Sequence, residues 1–124
     1  MTNYLTAVEV LAMHAAQVAR YGGSAGIRDM GMLEAALYRP QTGYYADVIA
    51  EGAALWESLS QNHPFVDGNK RTAFDATYSF LRLNGIAIVA DAVSATLEIS
   101  AMYETGRFTF ENLEPWLRAN TQQL

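Results

Sequence analysis

Cysteine is absent from the 124-residue chain. That excludes disulfides, thiolate nucleophiles and cysteine-based zinc sites. Histidine is scarce, with His14 and His63 the only two. A multi-histidine metal site is excluded with it, so any metal must be a hard cation held by oxygens. Cations are in the minority: 8 Lys and Arg stand against 13 Asp and Glu, a formal net charge of −5. Non-specific nucleic-acid binding rests on cations neutralising phosphates, so this balance argues against a direct nucleic-acid partner. No apolar run approaches the roughly 20 residues of a membrane helix. Met1–Glu9 has no basic stretch leading into an apolar one, so a secretory signal is not expected. The expected location is cytoplasmic, without a membrane partner. Proline and glycine are also few, at 3 and 9, while 51% of residues are apolar, a composition of folded rather than disordered chains. The length fits a single domain over residues 1–124. A chain of this size buries roughly two-thirds of its extended surface and builds a core unaided.

What is present is helical punctuation. Glycine, proline and asparagine cut the chain into about six helical segments. The first is expected from about Thr6 to Tyr21, with Thr6 and Glu9 at capping-box spacing. Leu5, Val8, Leu11, Ala15 and Val18 recur at helical intervals, and Gly22-Gly23 stop the segment. Asp29 caps a short second helix that ends near Arg39, before Pro40. A third is expected from Asp47 to Asn62 and reads as central, because its apolar arc is broad. A fourth runs from about Lys70 to Asn84 with Phe74, Tyr78 and Leu81 on one face. Ile86–Val89 reads as a short extended piece. Asp91 caps a fifth helix that runs to about Glu104. The last carries Leu113, Trp116 and Leu117, and its start is placed near Asn112 because Pro115 belongs in a first turn. No pair of alternating strands appears. The expected fold class is therefore all-α, a compact bundle of about six helices with a loop between two central ones.

That loop concentrates the unusual residues: His63-Pro64-Phe65-Val66-Asp67-Gly68-Asn69-Lys70-Arg71. It leads into a helix N-terminus, where free backbone N–H groups and the positive end of the dipole attract anions. Gly68 lets a ligand approach the backbone, and Asn69 is a cap, an anion donor or both. Lys70 and Arg71 put two cations at the wrong end of the macrodipole, which an anion there would explain. Asp67 is either a plain turn cap or one hard oxygen ligand, suited to Mg²⁺ shared with phosphates. His63, with an ordinary pKa of about 6.5, accepts a proton at neutral pH. A base, a metal ligand and a cationic cradle are what phosphoryl transfer asks for, because it is mainly positioning and charge stabilisation.

The same stretch resembles the signature of the Fic/Doc family, His-x-Phe-x-Asp/Glu-Gly/Ala-Asn-Gly/Lys-Arg, at every defined position. His14, Arg20-Tyr21-Gly22-Gly23, Gly26-Ile27-Arg28-Asp29, Glu34-Ala35-Ala36 and Lys70-Arg71-Thr72-Ala73 resemble the Doc branch, the death-on-curing toxins of toxin–antitoxin modules. The resemblance covers roughly residues 8–85. It implies that His63 is the general base, Asp67 holds Mg²⁺, Gly68, Asn69, Lys70 and Arg71 bind phosphates, and Phe65 anchors the loop in the core. Adenylyl-transferring Fic enzymes usually carry Gly where this chain has Lys70 and a second Arg where it has Phe74. Both departures match the Doc branch, which phosphorylates elongation factor Tu with ATP.

The expected function is thus a toxin that moves a phosphoryl group from ATP to a Ser or Thr hydroxyl of a translation factor and arrests growth. Adenylylation of a protein hydroxyl, or a catalytically silent binding module on the same fold, are the alternatives. An inhibitory helix of the self-restraining Fic type would read Ser/Thr-x-x-x-Glu-Gly/Asn. Ser94 to Glu98 begins such a string, but Ile99 follows, so restraint in trans by an antitoxin is expected. Arg20 and Arg28 beside glycine turns, and Tyr44-Tyr45 in the turn-rich stretch, are candidate contacts to target or phosphate, with surface pairing and packing as the competing readings. His14 lies near an apolar stripe and is read as a packed, hydrogen-bonded structural residue.

Overall fold

A computed structural model describes all 124 residues. Its centre is a helix buried on nearly every side. The third helix, α3 (Val48–Gln61), has ten buried residues, Trp56 and Leu59 among them. An all-round apolar helix must be enclosed by others. It is covered by α2 (Met30–Tyr38) with its 3₁₀ extension (Arg39–Gln41), by α4 (Asn69–Leu83) and by α6 (Phe110–Ala119). The first helix, α1 (Ala7–Tyr21), lies on α4. Close approach of α3 and α4 depends on Gly52: a Cβ there would stand 2.9 Å from Leu81 Cδ2. On the α4 side, small Ala73, Ala76 and Thr77 are fully buried. The Thr77 hydroxyl is satisfied by donating to the Ala73 carbonyl at 2.8 Å. One core of 18 buried residues links these helices, from Leu5 and Val10 to Trp116 and Leu117.

Side-chain caps start four helices. Thr6, Asp29, Asp47 and Asp91 each accept from the third backbone N–H inside α1, α2, α3 and α5 (Ala92–Glu104), which satisfies a donor the helix cannot. Arg39 locks the 3₁₀ turn to α3 by donating to Glu57 at 2.6 Å and to Ser58 at 2.9 Å.

The fold is all-α apart from one ribbon. β1 (Ile86–Ile88) pairs antiparallel with β2 (Thr121–Gln123), Ala87 facing Gln122. The extended piece at Ile86 was expected; its partner was not, because Thr121-Gln122-Gln123 carries no apolar alternation. Three other expectations need correcting. Val8 is 76% exposed, and α1 buries Val10 and His14 instead. The capping box at Thr6 fixes where the helix begins, and the side toward α4 then falls on those residues. On α4, Phe74 is 38% exposed and the buried side runs through Ala73, Ala76, Thr77 and Phe80. The helix turns its small residues to α3. Finally, α6 begins at Phe110 rather than Asn112. Pro115 and Glu111 are both exposed, so the carbonyl that Pro115 leaves unpaired meets water.

Candidate active site

Between α3 and α4 the chain makes a short loop with two separately anchored halves. The first half, Asn62 to Pro64, is held by the segment before α2. Arg28 donates from Nε to the His63 carbonyl at 2.5 Å and from Nη2 to the Asn62 carbonyl at 2.7 Å. The Pro64 carbonyl accepts from the N–H groups of Arg28 and Asp29, and Val66 N–H donates to the Gly26 carbonyl. Phe65 thereby forms a β-bridge with Ile27. The second half is held from within and below. The Asn69 side chain accepts from Phe65 N–H at 3.0 Å and donates to its carbonyl at 2.9 Å. The Phe65 ring is buried and lies flat on His14, centroids 3.7 Å apart. His14 Nε2 donates to the Asp67 carbonyl at 2.7 Å, so it carries the proton, because a carbonyl only accepts.

His63 has φ +47° and is the one non-glycine residue with positive φ. For a residue with a Cβ this conformation costs on the order of 1–3 kcal/mol. Its side chain lies on the exposed surface. Asp67 accepts from Ser24 N–H through Oδ2 at 2.9 Å. Gly68 is left-handed at φ +77° and starts α4 with no side-chain cap. The first-turn N–H groups of α4 therefore point outward without a capping oxygen, as an anion site requires.

The cations stand beside this turn without acidic partners. The chain's salt bridges join Arg39 to Glu57 and Arg118 to Asp47 and Glu114. Arg71 instead lies over the Tyr21 ring at 4.3 Å, with Arg20 over the same residue's ring at 5.4 Å. Lys70 Nζ stands 4.4 Å from the Tyr103 ring. Such contacts hold a cation by ring electrostatics and leave its N–H groups available. Burial pushes the Tyr103 phenol up to about 12, so it stays neutral, its hydroxyl 2.7 Å from Ser60 Oγ.

Asp67 and Arg71 thus lie against the end of α1 and the loop after it, whereas Lys70 reaches toward α5. Lys70 and Arg71 also edge a cleft of ≈ 820 Å³ walled by α4 and α5, with Phe74, Tyr78 and Ile99 in its lining. Neither His63 nor Asp67 lines it. The cleft adjoins the loop rather than containing it. For a divalent cation, Asp67 is a single exposed carboxylate, and no group of three or more His, Cys, Asp or Glu forms a cage. That donor set fits an ion held by one carboxylate and by phosphate oxygens, the usual arrangement for Mg²⁺.

Several candidate residues are committed elsewhere. The Asn69 side chain is spent on Phe65, which leaves its backbone N–H for an anion. Arg28 holds loop carbonyls rather than projecting toward a ligand. The Tyr45 hydroxyl accepts from Arg39 at 2.7 Å, and its ring packs on Phe110, so it belongs to the 3₁₀ anchor rather than to a docking surface. Tyr44, 83% exposed, remains open. Tyr21, Ser24 and Tyr103 were not anticipated as site residues. They lie far from the motif in sequence; Tyr21 stands in a string that resembles the Doc branch, but nothing in that string gives it a role, and nothing local marks Ser24 or Tyr103.

With the loop, its open helix start and its flanking cations in place, comparison with known proteins is direct. The chain belongs to the Fic/DOC family, whose sequence model matches residues 4–81. It is 46% identical over 96 residues to Toxin Doc of Mycolicibacterium smegmatis, covering 73% of this chain and 72% of that one. It is 31% identical over 120 residues to Protein kinase doc of Escherichia phage P1, covering 94% of each. No helix is long and apolar enough to cross a membrane.

Proposed function

We propose that this protein is the toxin of a toxin–antitoxin pair and that it transfers the γ-phosphoryl group of ATP to a Ser or Thr hydroxyl of a translation factor of the elongation factor Tu type. The observation that carries the reading is an exposed His63 in the loop that leads to an uncapped helix start, with Lys70 and Arg71 in the first turn and neither paired with a carboxylate. In the reaction, an imidazole nitrogen of His63 takes the proton of the target hydroxyl. The hydroxyl oxygen then attacks the γ-phosphorus, and the bond to the β-phosphate oxygen breaks, releasing ADP. The N–H groups at the start of α4, with Lys70 and Arg71, stabilise charge on the phosphate oxygens. Asp67 would hold Mg²⁺, which when bound neutralises phosphate charge.

Lys70 where nucleotidyl-transferring relatives carry Gly, and Phe74 where they carry a second Arg, favour phosphoryl over adenylyl transfer. The name Protein kinase doc borne by one relative agrees with that choice. The name Toxin Doc supports an antitoxin partner, and the α5 string Ser94–Glu98, which continues with Ile99 rather than Gly or Asn, favours restraint in trans.

The test is incubation of the purified protein with a translation factor and ATP labelled at the γ- or the α-phosphate, read by mass. A gain of about 80 Da with γ-label is expected. A gain of about 329 Da with α-label means adenylylation. No transfer of either label overturns the enzymatic reading.

A further inference from the structure

We infer that Arg28 is a positioning residue: by gripping the Asn62 and His63 carbonyls it holds His63 in its left-handed backbone conformation, and so sets where the imidazole stands. Three observations meet here. His63 is the only non-glycine residue with positive φ. A residue with a Cβ stays in that region only where its surroundings over-determine it. The two carbonyls flanking that φ, those of Asn62 and His63, both accept from one guanidinium, at 2.7 and 2.5 Å. The rigid fork of an arginine suits two acceptors at once, and charge-assisted bonds are the stronger kind. Finally, Arg28 is itself fixed by its own backbone, whose N–H donates to the Pro64 carbonyl at 2.8 Å. The guanidinium is therefore aimed from a bridge already closed on the same loop.

The division of the loop gives this role a distinct signature. Arg28 serves only the half that carries His63. The half that leads into α4 is held by Asn69, by His14 and by the Asp67–Ser24 contact. Loss of the guanidinium should misplace the base and leave the phosphate cradle intact. A residue that merely supported the fold would disturb both halves together. The kinetic arm rests on the proposed phosphoryl transfer; the structural arm does not.

The experiment compares the full-length wild type with Arg28→Ala and Arg28→Lys. Melting temperature confirms folding. NMR backbone couplings and chemical shifts report the φ of His63 directly. Transfer is measured with labelled ATP and the translation factor, with and without millimolar guanidinium ion. The expected result is loss of the left-handed signature of His63 in Arg28→Ala and a fall in kcat of about 10²-fold, the scale of a small misplacement of a reacting group. KM for ATP should stay within about threefold, and guanidinium should restore part of kcat. Arg28→Lys, a point charge without the fork, should recover only part of it, and it carries the same test if Arg28→Ala does not fold. Retention of the wild-type His63 couplings in a folded Arg28 variant overturns the inference, as does a parallel loss of kcat and ATP affinity. If the wild type transfers no label, the proposed function fails, and the His63 couplings still decide the role of Arg28.

Discussion

At His63 and its neighbours, the chemistry proposed for a residue and its effect on stability can be measured separately. The left-handed backbone of His63 is a cost, and glycine would not bear it. His63→Gly is therefore expected to be more stable than His63→Ala by about 1 kcal/mol, measured by urea unfolding, with both variants inactive in transfer. Equal stabilities would show that the conformation is unstrained. Asp67 and Lys70 are exposed, and the side-chain contacts that hold them are one bond from Ser24 N–H and one ring, Tyr103. Asp67→Ala and Lys70→Ala should each leave the melting temperature nearly unchanged and lower the transfer rate at least ~10²-fold, the scale of lost transition-state electrostatics. Near-wild-type rates in both would contradict the roles given to them. The grouping was legible in the sequence because the residues stand in one short stretch, His63 to Arg71: an imidazole, a carboxylate, a glycine and two cations at the start of α4. The rest was legible only in part. Arg28 was a candidate from its glycine turn, but as a contact to target or phosphate, whereas it grips the loop's own carbonyls from before α2. Tyr21 and Tyr103 hold the cations from α1 and α5, and which ring a cation meets across such separations is not written in local spacing.

At the scale of the element, helix starts are the most readable feature and the most testable. Asp47 begins α3 and also pairs with Arg118 of α6 at 3.1 Å, so one carboxylate joins two helices. The hydrogen bond from Arg118, with that from Ala50 N–H, holds its pKa below the ordinary 3.8. A carboxyl whose pKa is lower folded than unfolded stabilises the fold above its ordinary titration range. That share is lost as pH falls through the folded value. Unfolding free energy measured from pH 6 to about pH 2 should therefore decline less steeply in Asp47→Asn than in the wild type. The pair is half-exposed, so its own worth is under about 1 kcal/mol; an unchanged slope would mean that Asp47 acts as a cap alone. Thr6, Asp29 and Asp91 mark α1, α2 and α5 in the same way, and those boundaries agree with the sequence. The start of α6 did not, because Thr109 caps without a side-chain bond and Pro115 argued for a later start. The ribbon partner β2 was hidden for a different reason. A strand that buries little needs no alternation, and its pairing is set by where α6 ends.

For the molecule as a whole, burial is uneven. The core runs through α1, α2, α3, α4 and α6, whereas α5 has no buried residue. It is fastened by the Trp116 indole donating to Glu98 at 2.6 Å, by Tyr103 against Ser60, and by the Tyr103 ring stacked on Phe108 at 4.0 Å. Elements with few buried contacts open at lower free energy than the core. Native-state hydrogen exchange should therefore show the amides of α5 exchanging well before those of α3 and α4; equal protection would show that α5 opens only with the whole. The amphipathic patterns announced six helices and an all-α class, but they gave no sign that one would rest on the core only through half-buried side chains, Ala95, Ile99, Met102 and Tyr103. That follows from which residues meet across the fold, and periodicity does not record it.

Both tryptophans of the chain sit at this boundary. Trp56 lines the cleft against Phe74, and Trp116, 5.7 Å from it, is tied to α5. The protein consequently contains its own optical gauge. Anything that fills the cleft or lifts the helix above it should alter indole emission, so occupation of the cleft should be readable by ultraviolet fluorescence on unlabelled protein.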